Sequence, residues 1–281
     1  MIRSSLHSLR IERISSCALK RFFSAAININ NDLVQFTHDP STKIGTITLQ
    51  SSTRHNPLTV EMGAQFQATV QSINASMSNK ELNINSIILH GANSTFSAGG
   101  DINWLRDLRK NPVHVNADLM LHFYKSFLSV RELQVPVITA IDGYAVGAGA
   151  CLAIATDVRV MAQDAKIGFN FVKLGIHAGM GGSHFLPIAV GEGKAMEIML
   201  MGKTLDGEEA GRLGVAQMVV DGNGEDLLDE ARKVAARIGK MHPLAVRSMV
   251  QTMRLRQDSM GSGLEAALQR ESHAQALCYA R

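Results

Sequence analysis

Pro136-Val137-Ile138-Thr139-Ala140-Ile141-Asp142-Gly143-Tyr144-Ala145-Val146-Gly147-Ala148-Gly149 is the stretch on which the reading of this chain turns. Pro136 precedes an apolar, β-branched run, Val137–Ile141, that reads as a buried strand. Gly143–Gly149 follows as a loop of small residues, and a small-residue helix continues from about Ala148 to Ala155. A second loop of the same kind, Phe96-Ser97-Ala98-Gly99-Gly100-Asp101, lies upstream. It sits between a short apolar strand, Ile84–His90, and a helix that runs from Asp101 and ends before Pro112. Small residues let a backbone approach a ligand closely. A helix start leaves N–H groups unpaired and partly positive. Two such groups converging on one point would bind a carbonyl oxygen, and more tightly as it becomes an oxyanion. On spacing alone both loops read first as ordinary tight turns. Neither is a nucleotide loop, because GxxxxGK[ST] is absent and no G-x-G-x-x-G sits at a first βα turn.

Outward from these loops, Lys43–Gln50 alternates in β-branched residues and reads as a strand, with Asp32–His38 as its hairpin partner. Leu58–Ser78 reads as a helix with Met62, Phe66, Val70 and Ile73 on one face. Val115–Leu133 is mostly helical, and Asp157–Met161 is a further strand. Beyond them the chain is mainly helical: Gly182–Val190, Lys194–Met201, Gly207–Leu213, Glu225–Ile238, Pro243–Met253 and Leu264–Ala280, interrupted by a strand at Val215–Val220. Strands alternating with helices indicate an α/β domain. Crossovers of a dozen or more residues between the strands make them parallel.

Of the 281 residues, 46% are hydrophobic and 19% charged, an ordinary globular composition with no apolar run long enough for a membrane span. Three widely separated cysteines, Cys17, Cys151 and Cys278, form neither a disulfide framework nor a metal knuckle, which points to a reducing compartment. Residues 1–26 hold Arg3, Arg10, Arg13, Lys20 and Arg21 against Glu12. The chain's 28 basic residues less these five, and its 25 acids less one, leave 23 against 24 beyond residue 26. Positive charge is therefore not concentrated on the folded part, which argues against nucleic-acid binding. Residues 1–26 are Arg- and Ser-rich with Ile2, Leu6, Leu9 and Ile14 near helical spacing, the pattern of a mitochondrial transit peptide; the expected location is the mitochondrial matrix.

Together these motifs resemble the crotonase (enoyl-CoA hydratase/isomerase) family. The matching residues are Arg54-His55-Asn56-Pro57-Leu58, the 96–101 loop, the 136–149 stretch, Asp157, Lys173-Leu174-Gly175-Ile176, Gly179-Met180-Gly181-Gly182 and the 202–220 segment, in order from about residue 30 to the C-terminus. The resemblance implies an α/β fold in which ββα turns stack as a spiral over residues 27–195, followed by a helical trimerisation region over 196–281. It implies a homotrimer or hexamer acting on an acyl-CoA thioester, with no cofactor beyond the CoA of the substrate. The amides of Ala98 and Ala148 would form the oxyanion hole. Arg54, His55, Gly99, Gly100 and Gly147 would contact the CoA-bearing ligand.

The family's two acid/base glutamates fall at Cys151 and Phe171, so the carboxylate pair of a hydratase cannot be built there. Hydrolases resembling the hydroxyisobutyryl-CoA enzyme place an aspartate at the position of Gly179, and decarboxylases of the family often place a histidine at that of Gly100. His177 borders the expected reaction centre and is read either as a replacement acid or base or as a structural histidine. Cys151 is read either as a nucleophile at a helix start or as a packed small residue. Asp101 is expected to stabilise its own helix; Glu132 and His184 are weaker candidates. Trp104, Leu108 and Phe123 are expected around the acyl pocket. No His, Asp and Glu cluster has metal-ligand spacing. The chain stops at Arg281, short of a further helix that family members carry over the CoA site, which leaves the adenine-side contacts open. The expected activity is enolate stabilisation on an acyl-CoA. The alternatives are an acyl-CoA-binding or regulatory subunit, or a divergent acyl-CoA hydrolase or decarboxylase.

Overall fold

The computed structural model describes residues 29–51 and 55–280. The transit-peptide assignment at residues 1–26 and the ligand contact expected of Arg54 therefore lie outside the described residues.

Two sheets organise the chain. The larger has seven strands in the order β1 (Ile29–Asn30), β2 (Val34–Asp39), β3 (Ile44–Leu49), β4 (Ser86–Gly91), β5 (Val137–Ile141), β7 (Val158–Ala162) and β10 (Met218–Val220). The first three are antiparallel, with Phe36 opposite Ile47, and from β3 onward every pairing is parallel. The smaller sheet joins β6 (Tyr144–Val146), β8 (Lys166–Gly168) and β9 (Thr204–Asp206). The parallel core expected from the crossover lengths is present. The small sheet was not anticipated, because a three-residue strand is too short to show alternation. Strands β9 and β10 interrupt the mainly helical stretch beyond residue 195, and of the two only the second was expected from the sequence.

Helix α1 (Val60–Ser78) covers the sheet with the apolar stripe expected of it: Met62, Phe66 and Val70 are fully buried, and Ile73 almost so. Thr59 caps its start by accepting from the Met62 amide at 3.0 Å. Asp101 caps α2 (Ile102–Asp107) in the same way, accepting from the Trp104 amide at 2.7 Å, the helix-starting role expected of it. Helices α3 (Val113–Leu128) and α4 (Ala148–Ile154) flank the two glycine loops. After β8 come α5 (Gly182–Val190), α6 (Glu192–Leu200), α7 (Gly207–Leu213), α8 (Glu225–Gly239), α9 (Pro243–Asp258) and α10 (Leu264–Tyr279).

The last two helices are tied to the core by polar anchors. Arg254 of α9 is buried and forms a two-pronged ion pair with Asp157, while its Nη1 also donates to the Arg131 and Leu133 carbonyls. Asp157 in turn accepts from the Val137 amide at 2.7 Å, at the start of β5. Arg131 pairs with Asp258 at 2.7 Å. The chain α10 lies along α3, and Glu271 on it accepts from the amides of Gly181 and Ser183 and from the Ser183 hydroxyl. Losing one member of a buried, fully hydrogen-bonded pair strands the other charge. Arg254→Ala should lower unfolding free energy by about 3–5 kcal/mol in urea titrations. A loss below about 1 kcal/mol would place the pair with exposed ion pairs that anchor nothing.

Candidate active site

Both glycine loops meet at one cavity, and Ser97 is where they are joined. Its amide donates to the Tyr144 carbonyl at 2.8 Å, and its carbonyl accepts from the Val146 amide at 3.0 Å, a parallel bridge between the 96–100 loop and β6. Its hydroxyl donates to the Asn56 carbonyl at 2.8 Å. Asn56 is fully buried at φ 45°, and its side-chain amide donates to the Ala92 and Thr95 carbonyls, so the His55–Leu58 segment frames this loop from behind. Leu58 continues the frame, with its amide on the Gly99 carbonyl and its carbonyl on the Asp101 amide. Gly99, at φ 93°, passes so close to β6 that a Cβ there would lie 2.5 Å from the Val146 carbonyl oxygen.

This framing decides which amides face the cavity. The Ala98 amide donates to the His55 carbonyl at 2.8 Å, the Gly99 amide to the Ser97 hydroxyl and the Gly147 amide to the Gly168 carbonyl. Among the described residues no group accepts from the amides of Gly100 or Ala148. Ala148 opens α4, where N–H groups have no partner within the helix. The pairing expected from the sequence was Ala98 with Ala148; the geometry replaces Ala98 by Gly100, two residues on. Backbone direction in an irregular loop is set by what brackets it, here His55 and Leu58, and composition does not carry that information.

A cavity of about 200 Å³ opens in front of these amides. Ala98, Gly99, Gly100, Gly147 and Ala148 all line it, with apolar side chains including Ile102, Leu105, Met120, Phe123 and Met180. Phe123 was expected there. Trp104 instead stacks on Phe123 at 4.9 Å and Leu108 is buried in the core, because the short α2 turns its Ile102 and Leu105 face toward the cavity. The polar side chains of the lining are Tyr124, Asn170 and Gln275. Tyr124 and Gln275 escaped the sequence reading: the first looks like a core aromatic in a helix, and the second sits about 150 residues away on α10. The Tyr124 hydroxyl donates to Gln275 Oε1 at 2.6 Å, and Gln275 Nε2 donates to the His177 carbonyl at 2.8 Å. Burial, reinforced by the nearby Glu271 charge, holds the phenol pKa well above its usual value, so Tyr124 is neutral at physiological pH. The hydroxyl lies over Gly179: a Cβ there would come within 2.3 Å of it.

Neither sequence-predicted reactive side chain reaches this cavity. Cys151 is fully buried, its sulfur packed where a Cβ on Gly182 would come within 2.9 Å, and burial pushes its thiol pKa far up. It is the packed small residue, not a thiolate nucleophile. His177 contributes its carbonyl to Gln275, but its ring turns away, with Nδ1 2.6 Å from the Ala178 carbonyl, and lines two neighbouring cavities. His184 is buried against the Gln257 carbonyl, and exposed Glu132 lines no part of the cavity. His55 is exposed, edge-on to Tyr144 at 6.4 Å, and its carbonyl is already committed to Ala98. Glu271 is a carboxylate close by, but it is fully buried and its acceptor sites are filled by the start of α5. Among the described residues no three His, Cys, Asp or Glu side chains come together as a metal site.

The chain thus joins a mixed α/β fold to an apolar cavity walled by two glycine loops. The family model for enoyl-CoA hydratase/isomerase matches residues 39–276, and the chain belongs to that family. A probable enoyl-CoA hydratase of Mycobacterium bovis is 35% identical over 223 residues, covering 79% of this chain and 82% of that one. A crotonyl-CoA hydratase of Syntrophomonas wolfei is 34% identical over 194 residues, 69% and 72% of the two chains. The crystal structure of an enoyl-CoA hydratase from Bacillus halodurans superposes with a TM-score of 0.77 at 24% identity, covering 89% of this chain and 96% of that one, and shows the same fold.

The burial of Cys151 against the partial exposure of Cys278 has a direct chemical readout. In the native protein, brief iodoacetamide treatment followed by peptide mass mapping should label Cys278 well before Cys151. Preferential labelling of Cys151 would restore it as a reactive thiol.

Proposed function

We propose that this protein processes acyl-CoA thioesters by seating the thioester carbonyl oxygen between the amides of Gly100 and Ala148 and stabilising the enolate that forms there. The observation that carries the reading is that, among the loop residues lining the cavity, these two have amides without an acceptor, and both stand at one apolar cavity. In such a water-poor site, fixed N–H dipoles act strongly on developing negative charge. The apolar lining suits an acyl group, and the surface around His55 is the side on which the CoA moiety is placed. Membership of the enoyl-CoA hydratase/isomerase family supports the substrate class. Tyr124, neutral and held by Gln275, is the group in the lining that carries an exchangeable hydroxyl proton near the reacting carbon.

A second reading, an acyl-CoA-binding subunit without turnover, is favoured by one observation: no carboxylate or imidazole side chain lines this cavity among the described residues. The two readings separate in a mass-spectrometric assay with enoyl-, 3-hydroxyacyl- and malonyl-type CoA thioesters alongside calorimetry. Product supports the enzyme; saturable binding with no product from any of them supports the binder.

The oxyanion assignment is tested by Ala148→Pro. Proline is tolerated at the first position of a helix and removes the N–H in question. Turnover should fall roughly 100- to 1,000-fold. His177→Ala should change it far less than the ~100-fold expected on loss of an acid or base. Wild-type turnover in Ala148→Pro would remove Ala148 from the mechanism.

Self-association as a trimer or hexamer is proposed for the C-terminal helices. Helix α9 buries Arg254 and leaves Leu244, Met249, Met253 and Leu255 exposed, an apolar surface that a second copy would cover. Light scattering on the purified protein should give a mass of three or six chains, and Leu244→Glu with Leu255→Glu should lower it. A monomeric wild-type protein would rule the assignment out.

A further inference from the structure

The residue standing where the family carries its second glutamate does more than fail to be acidic. Phe171 is buried and belongs at once to the lining of two cavities. On one side is the 200 Å³ cavity with the Gly100 and Ala148 amides. On the other is a larger groove of about 360 Å³ beside residues 169–172, α5 and α6, open to solvent at Met196 and Leu200 and lined mainly by apolar side chains such as Phe169, Ala195, Met196 and Met199. Its polar neighbours, His177, Ser183 and Glu192, are few.

The ring is held in place from both ends. Phe171 begins a short 3₁₀ turn, Phe171–Leu174, closed by Gly175 at φ 71°. Its carbonyl accepts from the Gly175 and Ile176 amides. The ring edge lies 3.8 Å from the position a Cβ on Gly147 would occupy, so it faces the loop that carries the Ala148 amide. A flat, apolar wall at this point ends the carbonyl-bearing cavity and begins the second one.

Resting on the acyl-CoA reading above, we propose that Phe171 is a specificity-determining residue: it closes the acyl cavity to a short chain, and the apolar compartment behind it is a latent site for the distal methylenes of a longer one. Both spaces are apolar, so the ligand chemistry they take is the same, and what separates them is one side chain. Replacing that side chain by a small one joins them into a continuous slot running from the oxyanion amides toward Met196 and Met199. A chain entering the slot buries methylenes that otherwise stay in water, each worth roughly fourfold in affinity.

The test is calorimetric binding of butyryl-, hexanoyl-, octanoyl- and decanoyl-CoA to the full-length wild-type protein, Phe171→Ala and the milder Phe171→Leu, with folding checked by circular dichroism. Wild-type affinity should level off or fall beyond the shorter chains. Phe171→Ala should favour octanoyl- over butyryl-CoA at least ~10-fold more than wild type does, and Phe171→Leu should shift the same way to a lesser extent. Adding Met199→Trp to Phe171→Ala refills the compartment and should return the profile toward wild type. If Phe171→Ala does not fold, the Phe171→Leu profile decides. Wild-type affinity that keeps rising through decanoyl-CoA, or folded variants with the wild-type profile, would overturn the assignment of Phe171 alone. Absence of binding at every length in all the folded proteins would overturn the acyl-CoA reading, and this assignment with it.

Discussion

The hydrogen-bonded seam at Ser97 is the constraint on which the site depends. Two loops that are distant in sequence must run side by side closely enough to aim amides at one point. Ser97 achieves this through its amide and carbonyl on β6 and its hydroxyl on the Asn56 carbonyl. The approach leaves no room for side chains: a Cβ on Gly149 would come within 2.7 Å of the Ser97 carbonyl, and one on Gly99 within 2.5 Å of that of Val146. The small residues are therefore demanded by the seam, and among the loop residues that line the cavity only Gly100 and Ala148 keep an amide without an acceptor. Backbone donors in folded chains are almost always satisfied by protein or solvent. Two half-buried ones on the wall of one cavity are the basis of the carbonyl site proposed above.

The surroundings of the seam show how the positions of the family glutamates have been absorbed into packing. Cys151 sits against Gly182 at the start of α5, and Phe171 fills the boundary between two cavities. The charge that the neighbourhood does contain, Glu271, arrives from α10 and is spent on the start of α5. Its burial raises its pKa, while the two amides and the Ser183 hydroxyl pull the other way. A carboxylate accepting three hydrogen bonds from the start of α5, with no face on the cavity, serves as an architectural link that holds the last helix, and with it Gln275, against the cavity.

How much of this was legible depended on the length scale of each feature. The α1 stripe was readable because four large apolar side chains repeat at helical spacing and all end buried. The strand Val137–Ile141 and the helix Gly207–Leu213 were read at their observed bounds, since Pro136, Gly207 and Gly214 punctuate them. The strand expected at Val215–Val220 shrinks to Met218–Val220, as pairing with β7 begins only opposite Val160. The two loops were legible as carbonyl-binding candidates, but not the choice of Gly100 over Ala98, which is set by a hydrogen bond from Ala98 to His55. His177 had the right chemistry and the right segment, yet its ring direction follows from the turn before Gly179. Tyr124 and Gln275 could not have been paired from the sequence, because only the packing of α10 along α3 brings them together.

The chemistry left to such a cavity follows from what its walls can exchange. Hydration needs one group to take a proton from water and another to give one, and a neutral phenol with a raised pKa cannot serve as the base. An enolate can be reached without any base when the substrate itself carries the departing group. In a malonyl-type thioester the bond between the α-carbon and its carboxylate breaks, its electron pair moves into the enolate, and carbon dioxide leaves. On the proposed reading, the amides of Gly100 and Ala148 would stabilise the product of that step, and the apolar lining would disfavour the carboxylate relative to neutral carbon dioxide. What remains is delivery of one proton to the α-carbon, which Tyr124 would supply only by giving up its hydrogen bond to Gln275 Oε1, with re-protonation through solvent. Of the readings weighed above, decarboxylation asks least of the two acid/base positions that Cys151 and Phe171 occupy, and the histidine often found at the position of Gly100 is what it would have to do without.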